Sequence, residues 1–217
     1  MPQIDLLALL IRVPPLLFAL TIHEFAHGWA ALKCGDPTAR DMGRLTLNPL
    51  VHLDPLGTLC LLFAPFGWAK PVPVDPRNFR HPRRDDILVS LAGVGANFVT
   101  ACLVALVMRG ALAAGFHPMA IGTSTATRTL WLMGELVCLI SIGLMIFNLL
   151  PIPPLDGSHV LANLLPPQQA MVYRRIAPFG GIVLLVLVLS GAFGVIFWPP
   201  LRAIVGALLG QAWILTS

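Results

Sequence analysis

Charge is what this sequence has least of. Asp, Glu, Lys and Arg make up 11% of its 217 residues, against about 25% in ordinary soluble domains. That shortage excludes a water-soluble globular domain, and the few basic residues are too dispersed for a nucleic-acid surface. Cysteine is sparse too. Cys34, Cys60, Cys102 and Cys138 are scattered with no CxxC pair, which argues against a disulfide framework or a thiolate site and for ordinary buried thiols. No internal repeat or low-complexity linker interrupts the chain. Its start lacks the basic flank and small-residue cleavage site of a cleaved signal. What fills the sequence is apolar, 57% of it. Length and hydropathy together predict an all-α membrane protein, a polytopic helix bundle of about four to six transmembrane segments in a single domain over 1–217.

Apolar runs predict spans over 4–32, 87–108, 130–150 and 182–197, with 201–215 as a fifth span or an interfacial helix. Arg12, Pro14 and Pro15 interrupt the first run, so its helix is predicted to begin near Pro15. It should stop near Cys34-Gly35-Asp36-Pro37. The run Leu56 to Phe66 is too short to span easily. The alternating Pro and Val between Gly67 and Asp75 predict extended backbone, a small re-entrant or β-hairpin element with proline on a free edge. Gly93, Gly95 and Ala96 offer a small-residue face for close helix contact. Basic residues gather between Lys33 and Asp86 and again at Arg174 and Arg175, whereas the loop between the second and third spans holds Arg109 and Arg128. The positive-inside rule therefore places the first two regions on the cytoplasmic side.

Against this background stands His23-Glu24-Phe25-Ala26-His27, set in the first apolar helix. Two histidines one turn apart leave the same helix face, a spacing that suits two nitrogen ligands of one zinc ion. Glu24 stands where a carboxylate can take a proton from a water that the metal activates. Ionisable groups are costly in hydrocarbon, so three within five positions favour function over chance. A catalytic zinc usually takes three protein ligands and keeps one open position. The candidates for the third, at the same predicted depth, are Asp156, His159, His52, Asp54 and Glu135. Asp156 follows the break at Pro151 to Pro154 and precedes Gly157. Residue chemistry alone leaves it two readings, a metal ligand or the N-cap of a helix starting near Ser158.

The His23 to His27 run, followed by Asn148 to Gly157, resembles the site-2 protease family of intramembrane zinc metallopeptidases. Arg44 to Thr58 and Gly67 to Arg80 are similar to its short bacterial branch without a PDZ domain, and Gly93-Val94-Gly95-Ala96-Asn97 resembles the motif on its central helix. The resemblance covers roughly residues 14–165. It implies one zinc ion per chain on His23, His27 and Asp156, with Glu24 as general base. It also implies a three-helix catalytic core and a multi-pass protein of the bacterial inner membrane that cleaves transmembrane protein substrates within the lipid bilayer. The chain lacks the membrane helix that precedes the motif helix in larger members, which leaves one side of the core to be closed by the tail or by a second protomer in a homo-oligomer.

Other polar residues are open to two readings each. Asn148 and Asn97 could bind substrate or the reaction intermediate, or hydrogen-bond between helices. Val72 and Val74 could hold an unwound substrate by β-addition. His52 reads as an accessory or simple loop histidine, His159 as the fallback ligand, and Glu135 as structural or snorkelling. The competing function is a non-proteolytic membrane metal-binding protein or transporter, whose mark would be His and Asp repeated along several spans.

Overall fold

The structure, a computed structural model, describes residues 6–57, 69–118, 120–210 and 213. Helix α1 (Leu6–Cys34), α2 (Pro82–Ala113) and α3 (Thr125–Leu149) pack against one another as a three-helix core. Short α4 (Asp156–Leu164) docks on α2 and α3. Then come α5 (Pro167–Ile176), a 3-10 turn at Ala177–Phe179, α6 (Gly180–Leu189) and α7 (Ala192–Leu209). By length and composition, Pro82–Ala113, Thr125–Leu149, Pro167–Leu189 and Ala192–Leu209 can each cross a membrane. At 29 residues α1 is also long enough, with Arg12, His23, Glu24 and His27 diluting its apolarity.

The ends of these helices follow from their sequences. α2 opens with Pro82, whose missing N–H costs nothing in a first turn. The Asp85 carboxylate there accepts from the His81 amide at 2.8 Å. Ser124 Oγ caps α3 by accepting from the Thr127 amide at 3.2 Å. α1 ends where Gly35 adopts φ +111°, a conformation an L side chain resists.

Two boundaries depart from expectation. α1 runs unbroken through Pro14 and Pro15 rather than starting at Pro15; in an apolar helix, neighbouring groups and local adjustments accommodate the lost hydrogen bonds. The segment 182–197 is not one helix, because Gly191 at φ +76° breaks it. The apolar arm instead begins earlier, at Pro167, and α7 continues through Pro199 and Pro200. A hydropathy window does not register a one-residue reversal inside an apolar run.

No strand ladder forms among the described residues. Leu53 and Ala69 make one antiparallel bridge, and the Lys70 amide donates to His52 O at 2.8 Å. Residues 58–68, which include Cys60 and most of the Leu56 to Phe66 run, lie outside the described residues. From Lys70 to Asp75 the backbone is non-helical, as Pro71 and Pro73 require. This strap crosses α1. Arg44 Nη2 donates to the carbonyls of Lys70 (2.9 Å) and Pro71 (3.2 Å). The fully buried Asp36 accepts from the amide of Asp75 at 2.7 Å and from Asn78 Nδ2 at 2.8 Å.

The main apolar core lies away from the strap. Ala101, Ala105 and Met108 of α2, Cys138 and Ile142 of α3, and Leu201, Val205 and Leu209 of α7 enclose it. Glu135 is fully buried in α3 rather than snorkelling outward.

Candidate metal centre

His23 and His27 leave α1 on the face turned to α2 and α4. Their Nε2 atoms stand 3.0 Å apart, with the rings edge to face. Asp156 Oδ2 lies 3.3 Å from each Nε2. Its sequence position explains the reach. Asp156 is the first residue of α4, behind an N-cap that is Leu155, so the carboxylate does not cap the helix. Gly157 permits the approach: a Cβ there would stand 2.3 Å from Leu149 O. On the opposite side Gly93 of α2 leaves room for the imidazoles, since a Cβ would meet His27 Nε2 at 2.4 Å. The small-residue face expected to serve helix contact here accommodates the histidines themselves.

The partners of the two rings engage their Nδ1 atoms. His27 Nδ1 donates to the Val89 carbonyl at 2.8 Å, which in the neutral ring leaves the lone pair on Nε2. His23 Nδ1 lies 3.1 Å from the Asn97 carboxamide, and Asn97 Oδ1 is buried with no hydrogen-bond partner as placed. A half turn of that carboxamide, whose ends are interchangeable in placement, makes Oδ1 accept from His23 Nδ1–H. Both Nε2 lone pairs then face each other and Asp156 Oδ2, a buried oxygen that receives no hydrogen bond.

With both rings neutral, these three electron-pair donors point at one spot, as the ligands of a cation do. Tetrahedral zinc with bonds of about 2.0–2.1 Å separates its ligand atoms by roughly 3.3 Å, close to the 3.0, 3.3 and 3.3 Å found here. These residues fit a zinc ion with one position left open. No other His, Cys, Asp and Glu grouping of this kind occurs among the described residues.

Glu24 lines the same cleft, a cavity of about 420 Å³. Its Oε2 accepts from the Val72 amide at 2.8 Å, which ties the carboxylate to the strap. Val72 is buried against Gly28, and Val74 also borders the cleft. Asn148 lines it too, with Nδ2 donating to Leu144 O at 3.0 Å.

His159 joins the cleft but not the ligand cluster. Its Nδ1 faces Asp86 Oδ1 at 3.5 Å, and the Asp86 carboxylate raises its pKa above the usual histidine value. His52 is not among the residues that line the cleft: it is buried, with Nε2 donating to Thr46 O at 2.9 Å. Asp54 accepts from the Gly57 amide instead. Sequence reasoning missed Val89, whose contribution is a backbone carbonyl, and Asp86, an acid in the first turns of α2 with no motif around it.

The sequence model described as "Peptidase family M50" matches residues 13–190. The chain is 40% identical to "Putative zinc metalloprotease YwhC" of Bacillus subtilis (strain 168) over 190 residues, covering 87% of this chain and 84% of that protein. It is 30% identical to "Putative zinc metalloprotease Rip2" of Mycolicibacterium smegmatis over 191 residues, covering 84% of this chain and 70% of that one. The Mycobacterium tuberculosis H37Rv protein of the same name is 32% identical over 193 residues, with the same coverage. No solved structure matches. On its motifs, its helical membrane architecture and a family match spanning residues 13–190, this chain belongs to peptidase family M50, the site-2 protease family.

Proposed function

We propose that this chain is a single-domain intramembrane zinc metallopeptidase that hydrolyses peptide bonds in or near the transmembrane helices of other proteins. The observation that carries the reading is the convergence of His23, His27 and Asp156 from two distant helices onto one point, with Glu24 lining the same cleft. His23 Nε2, His27 Nε2 and Asp156 Oδ2 hold the zinc. When bound, zinc supplies Lewis-acid chemistry, lowering the pKa of a water and polarising the scissile carbonyl.

The protein's own residues do the rest. Glu24 takes the proton from the attacking water and passes it to the leaving amine. The Val72 amide holds one carboxylate oxygen in place for that transfer. Asn148, at the rim of the cleft, orients the substrate backbone or donates to the developing oxyanion. A helical substrate hides its carbonyls in hydrogen bonds and must unwind, and the extended strap at Val72 to Val74 receives the unwound stretch by β-addition. His159 and His52 take accessory parts, the first within the cleft and the second bracing the loop that leads to the strap.

The distribution of basic residues between the loops supports a cleft that faces the cytoplasmic side of a bacterial inner membrane. α7 packs on α2 and α3, while Phe18 and Trp29 of α1 are exposed, so lipid or a second protomer covers α1. Purified protein should contain about one zinc per chain and cleave a transmembrane peptide. Glu24→Gln should retain the metal and lose cleavage. Equal cleavage by both forms would remove Glu24 as the base, and cleavage unaffected by stripping the metal would remove the zinc reading.

A further inference from the structure

Beside the cleft opens a second cavity of about 640 Å³, walled by Pro76, Arg83, Asp86, Asn163, Arg174 and Arg175, among others. Pro76 and Asp86 also line the cleft, so the two cavities share a wall. Three arginines line it, Arg83 from the start of α2 and Arg174 and Arg175 from the end of α5. The wall's one carboxylate, Asp86, is already engaged through both oxygens, by His159 Nδ1 and Asn163 Nδ2. Arg83 and Arg174 form no ion pair or hydrogen bond among the described residues, and Arg174 meets Asp86 only through space. Arg175 contacts Met171 Sδ at 3.7 Å. Next along the same arm, Ile176, Phe179 and Ile182 are exposed apolar side chains.

Membrane orientation alone accounts for arginines on this side. It does not account for three of them facing one cavity with no free counter-charge. Guanidinium groups pair with phosphate oxygens in a bidentate fork, and basic pockets at membrane helix ends suit anionic headgroups. The cationic cavity and the apolar face beside it together match an amphiphile. We propose that this cavity binds the phosphate-bearing headgroup of an anionic phospholipid whose acyl chains lie along the exposed face of α5 and α6. This inference does not depend on the zinc chemistry.

The full chain in a neutral detergent, titrated with phosphatidylglycerol or phosphatidylcholine and read by native mass spectrometry, tests it. Phosphatidylglycerol should bind at least about tenfold more tightly, and each of Arg83→Gln, Arg174→Gln and Arg175→Gln should weaken it about fivefold. Removing equal charge elsewhere, at Arg40, Arg128 and Arg202, should leave binding unchanged. Equal affinity for the two lipids overturns the proposal, and that comparison needs only wild-type protein, so a variant that fails to fold does not blunt it. Equal weakening by the single control substitutions Arg40→Gln, Arg128→Gln and Arg202→Gln overturns it too. Glycerol 3-phosphate is the soluble arm: if it displaces phosphatidylglycerol at comparable concentration, the acyl chains contribute nothing and the lipid assignment fails.

Discussion

Asn97 has no exposed surface and faces a ring nitrogen that, in a metal-binding histidine, needs an acceptor. Its chemistry is therefore testable one atom at a time. Asn97→Asp keeps an acceptor for His23 Nδ1–H and should retain zinc. Asn97→Leu removes it and should weaken zinc binding by about 10–100-fold, measured by competition with a chromophoric chelator. If the two variants bind zinc equally, Asn97 does not orient His23. Gly93 is the second single-residue test. The added methyl of Gly93→Ala would overlap His27 Nε2, so zinc affinity should fall more than tenfold while far-UV circular dichroism stays unchanged. The sequence made the histidine pair legible because i, i+4 spacing is local geometry. It could not show that Gly93 and Val89 complete the site, because a missing Cβ and a main-chain carbonyl leave no signature in side-chain chemistry.

Two elements put the proposed third ligand, Asp156, and the strap where they are. α4 can start against the end of α3 only because residue 157 is glycine, so Gly157→Ala should displace Asp156 and reduce zinc content more than it reduces helicity. The strap hangs on Asp36. Burial pushes that carboxyl's pKa up, but hydrogen bonds from Thr38, Asn78 and the Asp75 amide outweigh it and hold the pKa below the ordinary value. A depressed folded-state pKa stabilises the fold fully above about pH 3.9, and the contribution is lost as pH falls through the lowered value. Asp36→Ala should act the same way at neutral pH, costing about 1–3 kcal/mol and speeding amide exchange in residues 70–79 above all. Uniform exchange across the chain would show that Asp36 does not pin the strap. Proline alternation made the extended backbone legible. Its placement across α1 was not, since it rests on long-range bonds from Arg44, Asp36 and Glu24. The helix limits were misjudged at Pro14, where an apolar helix accommodates a breaker, and at Gly191, where a one-residue positive-φ reversal leaves no trace in hydropathy.

At the scale of the molecule, the metal cluster and the main apolar core are separate. The core joins α2, α3 and α7, whereas the proposed ligands come from α1 and α4. Chelation should therefore leave helix content intact and lower stability by about 3 kcal/mol at a hundredfold excess of zinc over its Kd, with exchange rising mainly in α4. Wholesale loss of helix on metal removal would contradict that division. Fold class was legible from hydropathy because lipid imposes one solution on the backbone. The arm Pro167–Leu189 was less so: only 6% of its apolar window is buried, so its limits are set by solvent and lipid rather than by packing partners. The tie between the Val72 amide and Glu24 has a kinetic consequence. If the strap seats the substrate, the bond that places the base belongs to the element that reads the substrate's register. A segment seated one residue out of step would disturb the base as it binds, and so would act as an inhibitor. Discrimination among sequences should then appear in kcat with KM nearly constant, and a substrate series in which KM alone varies would show that the strap and the base work independently.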